Sequence, residues 1–200
     1  MTSYKPAAAD VKRLREETAA GMIDCRDALV RASGSYEAAK KELLDAGQAK
    51  AAKKAERTAN EGVVASYIHA GGKIGVLVEV NCETDFVARN DLFRDLARDI
   101  AMHVAAMSPA YLDRASVPAE KVAEIKADLE KGLPTGKPAS VVEKILEGKL
   151  NKWYEEHVLL DQAYIKDDEK TVGELIGSVV GVLGEKIKVR RFAKFSLGEG

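Results

Sequence analysis

Residues 72–82 read GKIGVLVEVNC, with Ile74, Val76, Val78, Val80 and Cys82 at every second position. That period places the five side chains on one face of an extended chain. Just upstream, the run from residue 62 carries the branched Val64 and Ile68, and Ala70-Gly71-Gly72-Lys73 lies between the two runs where a hairpin turn belongs. The reading is a two-stranded antiparallel unit with one buried face, too small to be stable alone and in need of helical cover. The next segment supplies it. Asn90 is the expected N-cap of a helix over 91–107, in which Phe93, Leu96, Ala97, Ile100, Val104 and Met107 make a broad apolar stripe before Pro109.

Further downstream, a charged helix is expected over 119–131, stopped by Gly132 and Pro134. Pro138 sits at the N1 position of another, with Val141, Val142, Ile145, Leu146 and Leu150 as its buried stripe. A helix over 171–183 precedes the closing strand EKIKVRRFAKF. In that strand Ile187 and Val189 share a face, but the phase breaks at Arg190-Arg191 and Phe192 falls on the other side. Either a bulge or a strand covered on both faces is implied.

Upstream of the hairpin, residues 1–47 read as three short helices punctuated by glycine. Val11, Leu14 and Thr18 line the first, over 10–19 with Asp10 as N-cap. After Gly21, Asp24 opens the second, with Cys25, Ala28, Leu29 and Ala32 on one face. Gly34 ends it, Ser35 caps the third, and Ala39, Leu43 and Ala46 continue to Gly47. None stands alone at this length, but three together bury a small core. Residues 48–61, QAKAAKKAERTANE, lack an apolar face and read as a solvated helical linker. Lys50, Lys53, Lys54 and Arg57 are too few to make it an RNA-facing patch. The expected organisation is a 1–47 bundle, a 48–61 linker and a 62–200 core, and the fold class is α+β.

The 31 basic and 32 acidic side chains leave a formal charge of −1, which disfavours a dedicated nucleic-acid binder. Cys25 and Cys82 are far apart and form no CxxC pair, a usage that suits a reducing cytosol. The opening MTSYKPAAADVKRLREE turns charged before any apolar run develops, unlike a signal peptide. No stretch reaches the ~20 apolar residues that a bilayer span needs. A soluble, cytoplasmic chain without membrane or nucleic-acid partners is expected.

Candidate chemistry is sparse. Gly132-Leu-Pro-Thr-Gly-Lys137 resembles a phosphate loop but has three spacers instead of four, and Pro138 stands where a Ser or Thr is needed. Direct nucleotide binding is not expected. His69, His103 and His157 have no helical metal-pair spacing, so no metal or cofactor site is expected. Cys82 shares its face with four aliphatics, which favours a core thiol over a nucleophile. His103, beside an apolar stripe, is either a satisfied interior residue or a contact residue. In NCETDFVARN (81–90), Thr84 and Asp85 could cap a short turn with Phe86 and Val87 tucked into the core. Alternatively Phe86 projects from the strand exit as an exposed apolar wedge.

NCETDFVARN is very similar to a signature of the bacterial elongation factor Ts family. LREETAAGMIDCRDAL, AKAAKKAER, IAMHVAA, GKPASVVEKILEGKL, KTVGELI and GEKIKVRRF also resemble that family's segments, in its order. The likeness covers nearly the whole chain. It implies an opening bundle of the ubiquitin-associated type, with Arg15, Met22 and Ile23 facing the GTPase domain of elongation factor Tu. It casts Thr84, Asp85, Phe86 and Val87 as the element that disturbs the partner's magnesium, and His103 as a contact away from that domain. It further implies a guanine-nucleotide exchange factor, not an enzyme, in the family's short form that pairs two chains. The family's usual Thr-Gly-Ala-Gly-Met-Met reads Thr18-Ala-Ala-Gly-Met-Ile23 here.

Overall fold

The structure is a computed structural model and describes residues 4–18, 20–54, 56–132 and 138–199. Helices α1 (Ala8–Thr18), α2 (Met22–Arg31) and α3 (Tyr36–Lys54) come first, followed by strands β1 (Glu61–Ile68) and β2 (Ile74–Cys82). The short α4 (Asp85–Ala88) and the long α5 (Asp91–Met107) precede α6 (Ala119–Lys131) and α7 (Ala139–His157). The chain closes with β3 (Ala163–Tyr164), β4 (Asp167–Thr171), α8 (Val172–Leu183) and β5 (Lys188–Ser196). It divides into two compact units, residues 1–105 with 173–200, and residues 106–172. The α+β class read from the sequence is the class observed.

In the first unit α1, α2 and α3 close over Val11, Leu14, Cys25, Ala28, Leu29 and Ala39, with Leu43 packed against them. Three boundaries differ from expectation. Asp10 lies inside the first turn of α1, not at its cap, because helix already begins at Ala8. The second helix starts at Met22 behind Gly21, which puts Asp24 in the first turn, where a carboxylate suits the helix dipole. The third does not stop at Gly47 but continues, without a break, into the stretch read as a 48–61 helical linker, as far as Lys54. Gly47 serves close packing instead: a Cβ there would lie 3.1 Å from the Gly177 carbonyl oxygen and 3.5 Å from Ser178 Cα of α8. Ala46 beside it is exposed.

The sheet is three-stranded and antiparallel, in the order β1-β2-β5. Val76, Val78, Val80 and Cys82 of β2 are buried, as their alternation requires. Gly71 and Gly72, both with positive φ, turn the hairpin, where an L side chain would be strained. The broken phase of the last strand is a bulge: Val80 pairs with Val189 and Glu79 with Arg191, which leaves Arg190 as the extra residue. Asn90 caps α5, its Oδ1 accepting from Leu92 N–H at 2.9 Å. Phe93, Leu96, Ala97, Ile100 and Val104 are buried as expected, whereas Met107, the last residue of the helix, is exposed.

In the second unit α6 and α7 pack together over a core of Val117, Tyr154 and Val158 with Tyr111, Val122, Leu150 and Trp153. Gly132 caps α6, while Pro134 and the rest of the loop to Lys137 lie outside the described residues. Pro138 is the N-cap of α7, one position before N1. The expected buried stripe of α7 is only partly buried: Val141 is exposed and Val142, Ile145 and Leu146 are half-buried. The partner helix α6 is mostly charged and buries only Ile125, so it offers little to cover them. The two-stranded β3–β4 ribbon, with just two to five residues per strand, had no legible period.

Candidate functional site

At the exit of β2 the chain makes a single helical turn. Thr84 stands at its N-cap in extended conformation (φ −127°, ψ 157°), and its Oγ1 accepts from Val87 N–H at 3.4 Å. The turn lies against β1 and β2 and buries Val87 and Ala88. That leaves the preceding side chain facing outward, so Phe86 is 81% exposed, whereas Phe93 one helix later is 0% exposed. The two sequence readings thus divide between neighbours: Val87 is tucked in, Phe86 is not. Asp85 pairs with Arg89 one turn on, at 3.0 Å.

The strand exit is fastened to the loop between α8 and β5. Glu185 Oε2 accepts from the N–H of Glu83 at 3.1 Å and of Thr84 at 3.0 Å, while Oε1 takes the Thr84 hydroxyl at 2.6 Å. Glu83 returns the contact, its Oε1 accepting from Lys186 N–H at 2.6 Å. That bond and the nearby Arg57 guanidinium hold the Glu83 carboxyl below the ordinary carboxylate value. The end of α3 joins the same lock: Lys54 Nζ donates to the Gly184 carbonyl, and Lys186 Nζ donates to Arg57 O at 2.6 Å.

Cys82 at the base of the turn is completely buried, and its thiol donates to Thr84 O at 3.2 Å. Burial, reinforced by the charge of Glu185, pushes this thiol up to about 11, the reverse of an activated nucleophile. Among the described residues no group of three or more His, Cys, Asp and Glu side chains could hold a metal ion. No described helix is long and apolar enough to cross a membrane.

In the bundle, Arg15 is exposed on α1, and Met22 and Ile23 open α2 with 54% and 66% of their surface free. His103 differs. It has 0% exposure, so in the single chain it belongs to the interior and presents no surface for a contact. Glu83, Glu185 and Lys186 were not singled out from the sequence, and Arg57 was named there only within a basic run too sparse to face RNA. Glu185 is 101 residues from Thr84, and a loop carboxylate has no periodicity to betray its partner. The only available signal was the likeness of the GEKIKVRRF segment itself.

Together these features define a protein that presents an aromatic side chain outward from a braced turn, on a sheet joined to a small helical bundle. Residues 48–199 match the family model described as elongation factor TS. The chain is 52% identical to the elongation factor Ts of Caldanaerobacter subterraneus subsp. tengcongensis, over 95% of this chain and 96% of that protein. It is 54% identical to that of Moorella thermoacetica, over 97% and 96%, and 53% identical to that of Geobacter sulfurreducens, over 96% and 90%. The chain belongs to the elongation factor Ts family of translation elongation factors.

Proposed function

We propose that the chain is a guanine-nucleotide exchange factor that binds elongation factor Tu and promotes GDP release, with Thr84, Asp85, Phe86 and Val87 as the working element. The observation that carries this reading is the exposed Phe86 on a turn whose neighbours Val87 and Ala88 are buried. A lone exposed apolar side chain is common on soluble proteins; what sets Phe86 apart is its place in the NCETDFVARN segment, on a turn pinned by the buried Val87 and Ala88. Phe86 enters an apolar gap between helices of the partner, and Asp85 perturbs polar contacts nearby. The shift displaces a magnesium ligand and the loop cradling the phosphates, on which GDP depends. The bundle adds a second contact through Arg15, Met22 and Ile23. The reading's further contact, away from the GTPase domain, is at His103, whose side chain is enclosed in the core of the single chain.

No bond is made or broken in this scheme. The chain prefers the nucleotide-free partner and therefore weakens GDP by the same factor that GDP weakens it. A thousandfold effect corresponds to about 4 kcal/mol, which one inserted aromatic and a bundle contact can supply. The chain itself binds neither nucleotide nor cofactor, and it works in the cytoplasm alongside translation.

The reading includes a homodimer. The sheet face opposite the buried one carries exposed Val64, Ile68, Leu77 and Phe195, with Leu197 just beyond. A second copy supplies an equally apolar cover.

The test is release of fluorescent GDP from elongation factor Tu. The parent chain is expected to accelerate it strongly, and Phe86→Ala to lose most of that effect while remaining folded. Parental acceleration by Phe86→Ala would remove the wedge from the mechanism, and no acceleration by the parent would remove the function.

A further inference from the structure

A four-residue helix cannot hold its own shape in water, because helix nucleation costs more than its few hydrogen bonds return. The orientation of Phe86 must therefore be fixed from outside α4. Three groups of the strand exit, two backbone N–H and one hydroxyl, converge on the single carboxylate of Glu185 at 2.6–3.1 Å. Hydrogen bonds to an ionised acceptor are roughly twice as strong as neutral ones. Glu83 completes a reciprocal lock through Lys186 N–H, so each loop's glutamate accepts from the other loop's backbone. The residue immediately after the three contacts is Asp85, and the next is Phe86.

We infer that Glu185 is a positioning residue for the exchange element: it clamps the exit of β2 so that Phe86 meets the partner already aimed. This rests on the reading of Phe86 given above. Without the clamp, the turn must be ordered during the encounter, and the preorganisation is lost. Initial docking through the bundle is untouched. The maximal rate of GDP release at saturating chain therefore falls, while the concentration for half-maximal effect stays near the parental value. A variant that merely unfolds a fraction of the molecules does the opposite, shifting half-saturation and leaving the plateau alone.

Stopped-flow release of fluorescent GDP from elongation factor Tu, titrated with Glu185→Ala, Glu185→Gln and Phe86→Ala, tests this. Loss of three charge-assisted bonds is expected to lower the Glu185→Ala plateau about tenfold. Glutamine keeps one oxygen for the two N–H groups and offers its amide to the Thr84 hydroxyl, so Glu185→Gln is expected within about threefold of the parent by the same hydrogen-bond arithmetic. Amide exchange of Glu83 and Thr84, read by NMR, should quicken in the alanine variant and much less in the glutamine one. A parental plateau for Glu185→Ala overturns the assignment, as does an equal loss in both Glu185 variants. If Glu185→Ala does not hold its fold, Glu83→Ala opens the other half of the lock: a lowered plateau supports the clamp and an unchanged one overturns it. Should Phe86→Ala itself release GDP at the parental rate, the wedge reading fails; with Phe86→Ala slow and Glu185→Ala normal, only the role of Glu185 fails.

Discussion

Arg191 Nε donates to Glu79 Oε2 at 2.7 Å across the β2–β5 ladder. Arg190 reaches the other oxygen at 3.2 Å, because the bulge turns two consecutive side chains toward the same carboxylate. The Arg191 bond leads in holding the Glu79 carboxyl below the ordinary range. One acid thus stands between two bases at one end of a sheet face that is otherwise apolar around Leu77, Ala193 and Phe195.

Phe195, 67% exposed, lies on that face well away from the Phe86 turn in sequence and register. If two copies pair through it, light scattering should give twice the chain mass for the parent and a single mass for Phe195→Asp. A parent that runs as one chain at tens of micromolar would exclude pairing by this route.

The two phenylalanines near the site separate function from stability. Phe93→Ala empties a fully buried position and is expected to cost about 3–5 kcal/mol in urea unfolding. Phe86→Ala should lie within about 0.5 kcal/mol of the parent, as for most exposed positions. A large loss for Phe86→Ala would mean that the ring supports its own fold.

Glu83 should leave a signature in acid. Its folded pKa is lowered, first by the Lys186 N–H, so its contribution to stability is complete above the ordinary carboxylate value of 4.5. It is lost as pH falls from there through the lower folded value. Urea midpoints of parent and Glu83→Gln are expected to differ at pH 7 and to converge below that window. A gap that persists unchanged in acid would show that the carboxylate charge is not what matters.

Cys82 is expected to be inert. With the thiol raised to about 11, almost no thiolate exists at pH 8, and reaction with a disulfide reagent should await unfolding. The sign for stability follows. The neutral thiol favours the folded chain below the ordinary value of 9, and that advantage disappears as pH rises through about 11. Rapid labelling of the folded parent at pH 8, abolished in Cys82→Ser, would contradict this environment.

The parts legible in the sequence were those written as a period. Alternation from Ile74 to Cys82 gave the central strand, the apolar stripe from Phe93 to Val104 gave α5, and the break at Arg190 marked the bulge. Gly47 was misleading because a glycine that ends a helix and one that lets two helices touch look alike locally; only the Gly177 carbonyl distinguishes them. The spacing in α7 correctly indicated an apolar side, but burial depends on the opposite surface, and α6 supplies mostly charge. Whether Phe86 or Val87 turns inward depends on which face of a four-residue helix meets β1 and β2, and no period can be counted over so short a stretch.

The unbroken course of α3 from Tyr36 to Lys54 changes what an insertion would do there. In a slack tether, one residue more or less would merely alter reach. In a rigid rod turning about 100° per residue, it swings everything upstream to a new compass bearing and shifts it by about 1.5 Å. The stretch read as a solvated helical linker is thus, as far as Lys54, a keyed shaft continuous with the third bundle helix, whose length sets a bearing as well as a reach.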